Sequence, residues 1–379
     1  MQVQDLIAAA KQQTGLSDLG DERIHQPLQR LVQALNDEAK LNEGGIQRVE
    51  ANLIATLSNR LRVEDYLAQH PQLLERAVEK PLFVFGLPRT GTTLLINLLS
   101  MDPARRCFLR WEALDSVPPP QPEELHAGQR YDKCQEMTEL ALKYAPHISA
   151  IHHEEADSPT ECQFAMSPSF IAQYYDSMYH VPSYHRWFLQ EADYLPAFQF
   201  HKRFLQLLQA HVGGRWTLKN PWHPLFLDEL TTVYPDAQLV MTHRDPVEVV
   251  ASACSLWKAV RPMFSDSVDL EVIGQGLLET FDLMIERTLA FKAKHGWNSI
   301  YDLQYTRLMC DPVGEIQKVY DHFDEPIGVE TKTAMKKYID DNPKGKHGQH
   351  SYSLADYGLT TEEIRGRYRD YCTRFEIAC

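Results

Sequence analysis

The chain has 379 residues, of which 44% are hydrophobic and 24% charged, which excludes collagen-like, low-complexity and globally disordered classes and leaves room for one large α/β domain or two ordinary ones. Its 38 Lys and Arg against 52 Asp and Glu give a formal charge of −14, so no nucleic acid or anionic membrane is expected as a partner and any anion must be held locally. No stretch reaches the ~18–20 uninterrupted apolar residues of a membrane span, and the start MQVQDLIAAAKQQTG lacks the features of a signal peptide, so the expected compartment is the cytoplasm.

Residues 1–78 read as a helical N-terminal extension: Ile24, Leu28, Leu31, Val32 and Leu35, then Val49, Leu53, Ile54, Leu57 and Leu61, recur at helical spacing. At 80–86 the texture changes to KPLFVFG, an unbroken apolar run closed by glycine, as in a strand buried on both faces of a parallel sheet. A domain over 79–359 begins there.

Gly86-Leu-Pro-Arg-Thr-Gly-Thr-Thr93 follows that strand and opens the helix TLLINLLS, a context in which backbone amides and a helix N-terminus together cradle an anion. The glycines fit the nucleoside-triphosphate pattern G-x-x-x-x-G-K-[ST], but Thr92 stands where the lysine belongs and the loop's cation is Arg89. A loop without that lysine suits a smaller anion held without metal better than a triphosphate with Mg²⁺.

From about 113 to 215 the pattern is irregular, with a P-P-P-Q-P run, helical fragments and no clear strand, and reads as a helical insertion. Phe164, Phe170, Tyr174, Tyr175, Tyr179, Tyr184, Trp187, Phe188, Tyr194, Phe198 and Phe200 either line an apolar acceptor pocket or form the insertion's own core. His152 and His153, beside Glu154, Glu155 and Asp157, are adjacent ligands without a distal pair, so no metal is expected. The seven cysteines stand singly and are expected to be reduced.

WTLKNP (216–221), AQLVMTHRDP (237–246) and NSIYDLQYTRL (298–308) each set a short apolar segment before a polar turn and a helix, the alternation of βα units. The fold expected is α/β, a P-loop-type doubly wound parallel sheet flanked by helices. Residues 342–353 read as a loop and 360–379 as a charged C-terminal helix.

P-R-T-G-T-T-L-L resembles the 5′-phosphosulfate loop of sulfotransferases that use 3′-phosphoadenosine 5′-phosphosulfate (PAPS), in the bacterial branch related to tyrosylprotein sulfotransferases. THRDPVEVVAS supplies Arg244 and Ser252 at the interval that binds the 3′-phosphate in that family. The resemblance implies PAPS as co-substrate, no metal, and a donor site of Arg89, Thr90, Gly91, Thr92, Thr93, Arg244 and Ser252, with Lys344 and Gly345 in a closing loop. D-P-A-R-R-C followed by R-W-E-A points to Glu112 as the catalytic carboxylate, and L-K-N-P-W-H to Lys219 as a contact of the transferring group. Arg89 doubles as a catalytic cation, and His153 or His152 competes with Glu112 as base. Within the same resemblance, Tyr305, Leu308, Asp311 and Pro312 form a strand-to-helix signature.

The activity implied is in-line transfer of a sulfuryl group to a hydroxyl or amine of a small, partly apolar acceptor. A P-loop kinase or hydrolase and a non-catalytic nucleotide-binding module are the competing readings; Thr92 weighs against the first. The N-terminal helices serve as a lid or as the surface of a homodimer.

Overall fold

The computed structural model describes residues 1–144, 154–343 and 353–378. His152, His153, Lys344 and Gly345 lie outside them. Five strands, β1 (Leu82–Gly86), β2 (Arg105–Cys107), β3 (Arg215–Lys219), β4 (Gln238–His243) and β5 (Tyr301–Gln304), pair in parallel in the order β2-β3-β1-β4-β5. Four of them fall where the apolar runs predict. Alternation along β1 explains why its run is unbroken: Phe83 and Phe85 enter the larger core, whereas Leu82 and Val84 enter a second core with Val240, Leu303 and Leu308.

The edge strand β2 is the element the sequence reading lacks, because Arg-Arg-Cys looks like surface. Its charges are buried by partners from elsewhere. Glu325 takes Arg105, Arg215 of β3 and Gln238 of β4 together, and Arg105 Nε donates to Tyr320 Oη at 3.0 Å. A carboxylate shared by two guanidiniums thus ties the starts of β2, β3 and β4, reaching past β1, which lies between β3 and β4.

The N-terminal helices Val3–Thr14, His25–Asp37 and Glu43–Gln69 bury Leu6, Leu28, Leu35, Val49, Leu57 and Leu61 in the same core as Phe83 and Phe85. Asn42 caps the third of them, its Oδ1 accepting Gly45 N–H at 2.7 Å. The insertion contributes short helices, among them Cys162–Met166 and Gln173–Met178, and the described part of it carries no named strand. The expected C-terminal helix is two shorter ones, Thr361–Arg367 and Arg369–Arg374, meeting at Tyr368, whose φ of −105° and ψ of 14° open the turn. Phe375 stacks on His243 at 4.3 Å and Tyr371 Oη meets His243 Nδ1 at 2.8 Å, which fastens this segment to the end of β4. Among the described residues Cys372 departs from expectation, being disulfide-bonded, while Cys107, Cys134, Cys162, Cys254 and Cys310 are free.

Candidate active site

All five strands run the same way, so the loops after β1, β3, β4 and β5 rise at one edge of the sheet. The chain leaves β1 for β2 and β3 on one side and returns as β4 on the other, which opens a crevice above β1, the usual ligand position in open α/β sheets. The glycine-bearing turn after β1 fills it. Arg89 adopts φ 71° and Gly91 φ 95°, a left-handed pair that turns the chain sharply into the helix Thr92–Leu99. A Cβ on Gly91 would stand 2.9 Å from Tyr305 Cδ2, so this residue must be glycine on two counts. The helix has no acidic residue in its first turn and no side-chain cap at its N-terminus, leaving its amides for an anion.

Two arginines lock this turn to β4. Arg244 Nη1 donates to Arg89 O at 3.0 Å, its guanidinium lies 4.3 Å from the Tyr305 ring centroid, and Nη2 meets Glu248. Arg244 Nε is buried and, among the described residues, has no hydrogen-bond partner. Asp245 caps the following helix by accepting Val247 N–H at 2.9 Å, which fixes the start of Pro246–Val260 beside Arg244. Arg89 Nε in turn donates to Ser252 Oγ at 3.1 Å, two helical turns along that helix. Thr90 plays a different part from Thr92 and Thr93: its hydroxyl is fully buried against Leu87 O at 2.7 Å and Thr242 Oγ1 at 2.6 Å, and the residue is off the wall of the cavity described next.

A cavity of about 490 Å³ opens on this turn. Arg89, Gly91, Thr92, Thr93 and Arg244 form its polar wall; Trp222, Leu256, Trp257, Val260 and Met178 stand across it. Of the eleven insertion aromatics named above, Phe164 and Tyr174 line the cavity and the nine others are core. Among the described residues the one acidic side chain on its wall is Glu161.

Glu161 and Lys219 are brought together by a bridge that sets residue 161 beside the end of β3. Lys219 Nζ donates to Glu161 Oε1 at 3.0 Å, and Gln163 Nε2 donates to Glu161 Oε2. Lys219 itself is fully buried and off the cavity wall, so it reaches the cavity through Glu161. Glu112, expected to face the acceptor, lies elsewhere. It is fully buried at the start of Arg110–Leu114, where its Oε2 accepts Leu109 N–H at 3.0 Å and its Oε1 meets Arg106. Burial holds the Glu112 carboxyl above its ordinary range, against the pull of Arg106, and draws Arg106 down. Helix capping and pairing occupy it, and it is absent from the cavity wall.

Residues 81–328 match the family model described as "Sulfotransferase family". Two solved structures are similar over nearly the whole chain: sulfotransferase STF9 from Mycobacterium avium, 31% identical with a TM-score of 0.93 over 99% of this chain and 97% of that one, and sulfotransferase STF1 from Mycobacterium tuberculosis H37Rv, 32% identical with a TM-score of 0.87 over 98% and 99%. A curated relative, omega-hydroxy-beta-dihydromenaquinone-9 sulfotransferase Stf3 of Mycobacterium bovis, is 24% identical across 76% of this chain and 75% of its own length.

Proposed function

The chain belongs to the sulfotransferase family, and from that premise we propose that it moves the sulfuryl group of PAPS to a hydroxyl, or an amine, of a small and partly apolar acceptor, with Glu161 receiving the acceptor's proton. The observation that carries this reading is the single cavity wall on which the Arg89 turn, Arg244 and one carboxylate converge. The donor supplies the sulfuryl group on a mixed anhydride with phosphate. Its phosphosulfate suits the 87–93 turn, where open amides and Arg89 favour an anion, and its 3′-phosphate suits Arg244, whose buried Nε lacks a partner, with Ser252.

Within that arrangement the chain's task is positioning and charge compensation. Arg89 stabilises negative charge as it develops on the sulfuryl and bridging oxygens. Lys219 and Gln163 hold the Glu161 carboxylate in place, so that it accepts the hydroxyl proton as the oxygen attacks. Trp222, Trp257 and Leu256 exclude water and receive an apolar body. The compound in the name of Stf3, omega-hydroxy-beta-dihydromenaquinone-9, likewise carries a hydroxyl.

Calorimetric titration tests the donor half: adenosine 3′,5′-bisphosphate binds without metal, and tighter than ATP with Mg²⁺. Transfer of label from radiolabelled PAPS to a panel of alkyl alcohols and phenols tests the acceptor half. Tighter binding of Mg²⁺-ATP would overturn the donor assignment; label moving only to polar sugars would overturn the acceptor class.

A further inference from the structure

A second cavity of about 510 Å³ lies where the segment at 21–24, the helix Glu43–Gln69, and the helix Leu195–Leu208 meet, and it shares no lining residue with the first. Four cations line it, Arg23, Arg60, Lys202 and Arg203, against Asp21 alone. Such a cluster is out of keeping with a chain of formal charge −14. Ile171, Leu195 and Phe200 provide apolar wall.

Among the described residues, the carboxylates in direct contact with these four cations are two, Asp21 and Glu64. Arg23 is held by Asp21 at 2.6 Å. Arg60 and Arg203 share Glu64, which sits outside the lining: Arg60 Nη2 lies 3.4 Å from Oε1 and Arg203 Nη1 donates to the same oxygen at 3.1 Å. Lys202 Nζ makes its hydrogen bond to a carbonyl, Val233 O at 3.3 Å. Asp18 and Asp193 act on Arg60 and Arg23 only through space. Arg60 is 1% exposed, donates to Leu19 O and Pro168 O, and lies 4.4 Å from the Phe200 centroid. Burial, with repulsion from Arg203 opposing Glu64, draws it down to about 10, so it remains a cation at neutral pH. Taking a guanidinium out of water is costly, and a further anion would offset that cost.

We propose that this cavity binds an amphiphilic monoanion, a sulfate ester or carboxylate head between Lys202 and Arg203 with a short apolar body against Ile171, Leu195 and Phe200. The site stands apart from the sulfuryl-transfer crevice and does not depend on how that crevice works. Octyl sulfate, octanoate and 1-octanol serve as probes in calorimetric titrations of the full chain. An anion binds with one-to-one stoichiometry, about tenfold or more tighter than the alcohol, and the tighter of the two heads identifies the source, ester or fatty acid. Lys202→Glu and Gln199→Trp, at partly or fully exposed positions on the wall, each weaken that binding by about tenfold, whereas Arg89→Ala, altered only in the other cavity, leaves it unchanged. Circular dichroism and the melting midpoint establish that each variant is folded. No saturable anion binding, equal binding of octanol, indifference to both wall variants, or loss in Arg89→Ala would overturn the proposal.

Discussion

Glu112 and Glu161 are both carboxylates paired with buried cations, beyond the carboxyl ends of two adjacent strands: Glu112 after β2, Glu161 beside the end of β3. Around Glu112 the seal is complete. Its partner Arg106 is stacked 4.4 Å from the Trp216 centroid, and Arg106 Nε and Nη1 have no hydrogen-bond partner, so the carboxylate is the charge that makes this buried guanidinium tolerable. Glu161 keeps 11% of its side chain exposed, and the exposed part faces the cavity. Burial alone therefore does not separate the two carboxylates; an unsealed side does, and on it rests the proposal that Glu161 receives the proton.

Exchanging charge for amide at each position separates the two roles most strongly. Glu161→Gln should lower sulfuryl transfer by ~10²–10⁴-fold, the range of a lost general base, with the melting midpoint and the affinity for adenosine 3′,5′-bisphosphate little changed. Glu112→Gln should do the converse, costing about 3–5 kcal/mol in denaturant unfolding because Arg106 is left buried without its counter-ion, while the folded fraction turns over normally. A Glu112→Gln protein that melts like the parent but no longer transfers would reverse the comparison.

Arg89 belongs to the open side as well. Arg89→Ala should reduce kcat by about 10²–10³, the loss seen when one preorganised donor is removed, and Arg89→Lys should recover only part because an ammonium lacks the planar fork. Steady-state rates at saturating donor measure it. A loss confined to donor KM would instead make Arg89 a ground-state contact.

The open side was only half legible in the sequence. The turn after β1 is local, five residues between a buried strand and a helix, and its glycine, arginine and threonines stand together in the chain. Glu161 owes its place to Lys219, 58 residues further on, and nothing near it distinguishes it from Glu154 or Glu155. Glu112 rests on the resemblance alone, because it follows the right segment; the local pattern fits a cap and an ion pair, and the structure pairs it with Arg106, six residues earlier. β2 was hidden likewise, because Arg105 becomes a core residue only through Glu325, 220 positions away. Whether an aromatic lines the cavity or fills the core depends on packing between elements, so periodicity could not sort Phe164 and Tyr174 from their neighbours.

Sealed polar groups beneath the sheet should act on stability through pH. His201 is fully buried, its Nδ1 on Tyr234 Oη at 2.7 Å, and burial pushes it down to about 3. The unfolded chain takes up this proton near the ordinary value of about 6.5 and the folded chain does not, so the stabilisation is whole above that pH and is lost as pH falls towards 3. Between pH 7 and pH 5 the loss from this ring should be about 2 kcal/mol. His185 runs the other way: the Asp176 carboxylate, at 2.8 Å, outweighs desolvation and raises it, so its contribution is whole below the ordinary histidine range and fades as pH rises through the folded value. Denaturant unfolding at the two pH values should show a smaller drop in His201→Gln than in the parent; equal drops would remove His201 from the account.

The smallest effect concerns Tyr305, which touches the open side without reaching the reacting group. Its ring lies under Arg244 at 4.3 Å and against the bare face of Gly91, so one side chain fixes both the arginine and the turn. Tyr305→Leu keeps the bulk and removes the ring's negative face, worth about 0.5–1 kcal/mol at a partly exposed site. The affinity for adenosine 3′,5′-bisphosphate should then fall by roughly two- to fivefold, read by calorimetry. Turnover at saturating donor should be unchanged, because Arg89, Glu161 and Lys219 keep their places. A fall in kcat with unchanged donor affinity would move Tyr305 from the nucleotide's far phosphate to the sulfuryl end, and would place the reacting centre nearer β5 than the pairing of Glu161 with Lys219 puts it.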